Sequence, residues 1–292
     1  MPKTKIKPVV KNSDELMNSM YDTPFKAIVQ NPKFRKLLSM IISNVTLYSE
    51  SYIYENLKFL NTELPAENSK ERKKITDILA TIKGNIINIE ANKSAEASKL
   101  VKNNLYHHKI AYGKYFSGDE IDNIDIIQLN FNVMNRFDDR LFIEFKMKDD
   151  TGNFTDEENF RRIHINMAKP LEKYYTNGIE SLSKLEKILV MFQITSKKEL
   201  REIAKGDEDL ENMADIIEDL NEDEEIIGQY DKEKMDAWMH RVGINQARKE
   251  GLEQGKKEIA LNMLNMKMSI ADISKATGLS EKDIEELQNT ED

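Results

Sequence analysis

"ITDILATIKGNIINIEAN", residues 75–92, is the stretch whose reading decides the fold. Two apolar runs, 75–82 and 86–92, flank Lys83-Gly84-Asn85, and a short glycine-containing break between such runs is the pattern of a tight hairpin. Successive side chains of a strand point to opposite faces, so Glu90 and Asn92 project together while Ala91 turns away. Pairing the runs brings Asp77 toward Glu90. These two carboxylates, with the Ala91 carbonyl, offer the oxygen ligands that a hard divalent cation takes beside water and a substrate phosphate. They equally suit strand ends at a solvated sheet edge, and spacing alone leaves both readings open.

On the N-terminal side, Phe34, Leu37, Leu38, Ile41, Ile42 and Val45 recur at helical spacing and predict a buried helix over 33–46. Residues 51–61 read as a strand and "LPAENSKERK" as a polar loop. On the C-terminal side a helix is expected over 94–116, then strands over 124–133, 140–149 and 160–169. From Pro170 the character is helical, and "SKLEKILVMFQI" and "SKKELREIAKG" each begin at a serine suited to N-capping. A long polar helix is expected from about Asp231. The tail forms two short helices around Thr277-Gly278-Leu279, with Ser280 and Asp283 as a capping box. This order predicts an α/β core with a helical C-terminal extension.

The 292 residues suffice for one large domain and an appendage. With 33% charged residues and no run of about 18 apolar residues, the chain lacks a membrane-spanning segment. "MPKTKIKPVVKN" carries four lysines and no apolar core, so residues 1–20 are expected to be a flexible basic arm and not a secretory signal. Cysteine is absent, which excludes disulfides and thiolate metal sites, and a cytoplasmic location is the expectation. The net charge of −9 argues against coating nucleic acid through bulk electrostatics. That acidity is concentrated in "DEDLENMADIIEDLNEDEE", residues 207–225, and the remainder is close to neutral.

Asp77, then Glu90-Ala91-Asn92 behind the apolar "IINI", resembles the Asp…Glu-x-Lys core of the PD-(D/E)XK nuclease superfamily. The closer likeness is to its recombination-promoting nuclease (Rpn) and transposase branch. "DTPFKAIVQNPKFRKLLSMIISNV", "KLVKNNLYHHKIAYGKYF" and the tail "RKEGLEQGKKEIALNMLNMKMSIADISKATGLSEKDIEEL" resemble further segments of that branch, so the likeness spans nearly the whole chain. It implies a restriction-endonuclease-like mixed central sheet flanked by helices, with a helical C-terminal extension. It also implies a Mg2+- or Mn2+-dependent endonuclease acting on DNA, with a catalytically weak or inactive DNA-binding or protein-interaction module as the alternative. The implied domains are the arm, a nuclease-like core over 21–195, an acidic helical segment over 196–230, and a long helix plus terminal pair over 231–292.

Within this resemblance Asp77 and Glu90 would bind metal with Ala91, and Asn92 would position water in place of the usual lysine or glutamine. Asparagine is shorter and uncharged. Lys93 should face the other side of the strand. Asp22 is a further candidate acid, or a turn residue before Pro24. Lys99, Lys102, Tyr106 and Lys109 share one face of the 94–116 helix and are candidate DNA contacts, or an ordinary solvated face. Val101, Leu105, His108, Tyr112 and Tyr115 form the face expected to pack on the sheet, with His107 at the surface. The four histidines show no metal-ligand spacing. The tail pair looks like a helix-turn-helix, but its second helix carries Glu281, Asp283, Glu285 and Glu286 against Lys282 alone. That predicts packing or homo-oligomerisation rather than groove reading.

Overall fold

A computed structural model describes residues 14–64, 74–93, 97–116, 124–134, 138–154 and 159–289. The chain divides into two compact units, Met1–Tyr230 and Asp231–Asp292.

In the first unit, helices α1 (Asp22–Gln30), α2 (Arg35–Ser43) and α3 (Glu50–Asn56) precede strand β1 (Leu57–Leu60). Pro24 does not break α1, because amide groups in a helix's first turn have no intrahelical acceptor. The strand expected over 51–61 is therefore half helix: the Ser49 side chain accepts from the Tyr52 N–H and starts α3, which buries Ile53. Glu63–Leu64 (β2) and Lys74–Ile75 (β3) form a separate two-stranded ribbon. The predicted hairpin is β4 (Ile78–Ile82) and β5 (Asn85–Asn92). Lys83 (φ 47°) and Gly84 (φ 100°) turn it in two residues. Positive φ at both positions matches the right-handed twist of the flanking strands.

Helix α4 (Ala97–Phe116) follows, then β6 (Ile126–Asn132), β7 (Phe142–Phe145) and β8 (Phe160–Asn166). The sheet order is β1-β4-β5-β6-β8-β7. β5, β6 and β8 are parallel neighbours, and the remaining pairings are antiparallel. This is the mixed sheet of a restriction-endonuclease-like α/β fold.

The two faces of the parallel strands differ in chemistry. Ile87, Ile89, Ile127, Leu129, Phe131, Ile163 and Ile165 join the main core with Phe25, Phe34, Ile41 and Phe192. The opposite face is a polar grid in register: Asn88, Gln128 and Arg162, then Glu90, Asn130 and His164, then Asn92, Asn132 and Asn166.

Helices α5 (Ala168–Asn177), α6 (Lys184–Met191), α7 (Lys197–Ala204) and α8 (Glu208–Leu220) complete the first unit. Ser183 and Ser196 cap as expected. The acidic stretch is not an appendage to the core. Leu210, Met213, Ala214, Ile216 and Ile217 of α8 are buried in it. Four of its acids form ion pairs, Asp207 and Asp209 with Lys184, Asp215 with Arg201, and Glu218 with Lys197 and Arg201. Nor is all of 1–20 an arm. Residues 1–13 lie outside the described residues, but Leu16, Met17 and Met20 are buried, and the Met17 N–H donates to Asn221 Oδ1 at 2.7 Å.

Helix α9 (Glu224–Asn265) starts before Asp231 because Asp223 Oδ1 accepts from the Glu225 and Ile226 N–H groups. Tyr230, near its start, stacks edge-on against Tyr21 within the first unit. In the second unit Ala260 of α9 packs with Ile273 of α10 (Ile270–Thr277), Leu279, and Ile284 of α11 (Glu281–Gln288). Gly278 takes the left-handed conformation at the turn, and Ser280 with Asp283 forms the capping box. Among the described residues no helix is long and apolar enough to cross a membrane.

Candidate functional site

The hairpin register pairs Ile78 with Ile89, so one step outward sets Asp77 opposite Glu90. Asp77 closes that step itself: its Oδ2 accepts from the Ala91 N–H at 2.8 Å. Glu90 is 2% exposed, and its Oε1 accepts from Asn88 Nδ2 at 3.1 Å. Burial pushes the pKa of both carboxylates up. For Glu90 the neighbouring Asp77 charge adds to the rise, opposed by the Asn88 hydrogen bond and by Lys102. For Asp77 the Ala91 hydrogen bond is the main opposing influence; Asp22 raises it further, and Lys26 and Lys102 lower it. Two acids of one sign held together away from water favour the arrival of a cation.

A cleft of about 340 Å³ opens beside Asp77, whereas buried Glu90 does not line it. Met20, Asp22, Lys26, Asp77, Ala91, Lys93 and Lys102 line it. Three elements converge there: α1 with the segment before it, the outer ends of the β4–β5 hairpin, and α4. Asp22 is paired with Lys26 at 2.9 Å. Among the described residues no three His, Cys, Asp or Glu side chains are grouped to hold a metal ion.

Several placements differ from the sequence reading. Asn92 does not line the cleft. It is 5% exposed, its Oδ1 accepts from Asn103 Nδ2 at 3.0 Å, and its Nδ2 donates to Asn130 Oδ1 at 3.4 Å. Lys93, just beyond the end of β5, does line the cleft, with its Nζ 3.3 Å from the centre of the Tyr21 ring. Lys93 has the strand parity of Ala91, which lines the same cleft, so the cleft lies on the side away from Asn92.

On α4 the face turned to the sheet is Asn103, Tyr106, His107 and Ile110, while Val101, Leu105 and Tyr112 are exposed. His107 is therefore the buried histidine and His108 the exposed one. His107 stacks on Phe160 at 3.8 Å, and neither ring nitrogen has a hydrogen-bond partner. Burial, reinforced by Arg162 and His108, lowers its pKa to about 3. Of the four candidate DNA contacts on this helix, Lys102 lines the cleft. Tyr106 packs against Leu79, Ile86, Ile110 and Ile126, Lys109 is half-buried, and the side chain of Lys99 lies outside the described residues. The sequence reading missed Lys26 and Asn103. Asn103 had a signal, the amides at alternate positions of β5 and β6, whose polar face calls for a polar helix face above it.

A mixed sheet that sets half-buried Asp77, at the wall of a lysine-lined cleft, opposite buried Glu90 on the neighbouring strand has the layout of a nuclease-type core. The chain belongs to the PD-(D/E)XK nuclease family transposases, whose family model matches residues 19–247. Residues 253–289 match the C-terminal helix-turn-helix domain of the Rpn/YhgA-like nuclease family, a module class associated with DNA binding. Comparison with curated proteins and with solved structures finds no match.

Proposed function

We propose that this chain is a divalent-metal-dependent endonuclease that hydrolyses phosphodiester bonds in DNA, with Mg2+ or Mn2+ as the metal. The observation that carries the reading is the Asp77–Glu90 pair, two carboxylates with raised pKa values set opposite each other, Glu90 buried and Asp77 half-buried at the wall of an open cleft. The donor set fits the metal: Asp77, Glu90 and the Ala91 carbonyl supply hard oxygen ligands. A bound divalent ion activates water and offsets charge growing on the phosphoryl group.

The chain's own contribution is to hold the two carboxylates in place through the Ala91 N–H and the Asn88 amide. Lys26, Lys93 and Lys102 surround the cleft with positive charge that draws in a polyanion despite the acidic total. The C-terminal unit matches a helix-turn-helix domain, but its second helix carries Glu281, Asp283, Glu285 and Glu286 against Lys282, which suits packing better than groove contact. Met235, Trp238, Met239 and Val242 lie exposed along α9 and suit pairing with a second copy.

The reading predicts conversion of supercoiled plasmid to nicked circles with Mg2+ or Mn2+, and none in EDTA. A chain that binds DNA but never nicks it under any divalent metal refutes the enzyme. The enclosed position of Asn92 favours that second reading, a DNA-binding or protein-interaction module on a nuclease fold.

A further inference from the structure

The amide at position 92 faces into the protein. Its partner Asn103 is 3% exposed and makes three connections from one turn of α4. Asn103 Nδ2 donates to Asn92 Oδ1 and to Asn130 Oδ1, both at 3.0 Å, and its main-chain carbonyl accepts from Gln128 Nε2 at 2.8 Å. One helical residue is thereby fastened to both β5 and β6. Buried amide hydrogen bonds of this kind are direction-dependent, and leaving one unmade is costly, so they fix how the helix is rotated.

The residue next to Asn103 is Lys102, which this rotation turns to the cleft wall. Its Nζ lies 5.0 Å from the centre of the Tyr106 ring, one turn along, which steadies the side chain over the site. Lys26 is paired with Asp22, and Lys93 rests on Tyr21.

We propose that Lys102 supplies the positive charge that meets the scissile phosphate at the Asp77–Glu90 site, and that Asn92 and Asn103 form a latch positioning it. The neutral residue at 92 is then a fastening for α4, and the site's cation comes from the helix. This inference rests on the metal-site reading above.

The test uses the full chain and two readouts, titration with Mn2+ alone and nicking of supercoiled plasmid at saturating Mn2+. Removing a neighbouring cation should tighten Mn2+ binding, so Lys102→Met is expected to bind Mn2+ about five-fold more tightly. The same variant should nick about 10²-fold more slowly, the usual scale for losing a group that stabilises developing charge. Lys102→Arg should retain most of the rate. Asn103→Ala should slow nicking, but combined with Lys102→Met it should add little, because both act through one ammonium. If Asn103→Ala melts below the assay temperature, Asn92→Ala carries the same comparison. Native Mn2+ binding with Lys102→Met unchanged in both readouts overturns the inference alone, as does an additive double variant. A native chain that binds no Mn2+ overturns the metal-site reading and this inference with it.

Discussion

Replacing Glu90 with glutamine should stabilise the metal-free protein, although it removes a ligand of the proposed site. Glu90 is 2% exposed, with Asp77 as the like charge that adds to its raised pKa. Above its folded pKa the carboxylate must be held ionised in a poorly solvated place beside another acid. The amide keeps the shape and carries no charge. The relief is on the order of 1–3 kcal/mol, the usual scale for an uncompensated buried polar group. For a unit of this size each kcal/mol moves Tm by about 2–4 °C.

The sign follows from linkage. A folded pKa above the unfolded one means that folding binds protons, so the contribution is present at low pH and lost as pH rises through the folded value. Glu90→Gln should therefore raise Tm in EDTA at pH 8 and do so much less at pH 5. Excess Mn2+ should reverse the order, since a ligand at 100 times its Kd stabilises by about 2.7 kcal/mol and the variant loses that binding. The measurement is thermal unfolding followed by circular dichroism at both pH values, with EDTA or Mn2+. A variant less stable than the native chain in EDTA at pH 8 would refute the picture of a strained, cation-seeking pair.

Other substitutions probe different parts of the structure. Asn92→Lys should cost about 1–3 kcal/mol and give no gain in nicking, because it forces an ammonium among the Asn103 and Asn130 amides; chemical denaturation and the plasmid assay check both halves. His107→Phe should remove part of the acid lability. The folded pKa of about 3 lies below the ordinary 6.5, so this histidine withdraws stability as pH falls from 6.5 toward 3, and the variant's melting curve should flatten over that window. Met213→Ala in α8 should cost about 2–5 kcal/mol in a denaturant titration, since the acidic helix is anchored in the core rather than laid over it.

The hairpin, the parallel strands after it and the caps at Ser183, Ser196 and Ser280 were legible because each rests on a local rule: alternation, turn chemistry, or a serine before a helical run. The Asp77–Glu90 pairing was legible for the same reason, as it follows from register. What the sequence hid lies between elements. Apolar periodicity chose Val101, Leu105 and Tyr112 as the buried face of α4, whereas the helix buries Asn103 and His107. The sheet beneath is a polar grid, so its partner face is polar too, and hydrophobicity points the wrong way. Likewise the charge run at 207–225 concealed an apolar stripe, Leu210, Met213, Ala214, Ile216 and Ile217, that belongs to the core. Lys93 escaped because the cleft was expected on the side of Glu90 and Asn92, whereas Ala91 and Lys93 line it.

The most direct test of the central claim is an anomalous difference map from crystals soaked in Mn2+ and measured at a wavelength where manganese scatters anomalously. One strong peak is expected between Asp77 and Glu90, about 2.0–2.3 Å from an oxygen of each carboxylate, on the scale of Mg2+- to Ca2+-type oxygen coordination. A fully soaked crystal with no peak there, or with manganese bound only elsewhere, would contradict it.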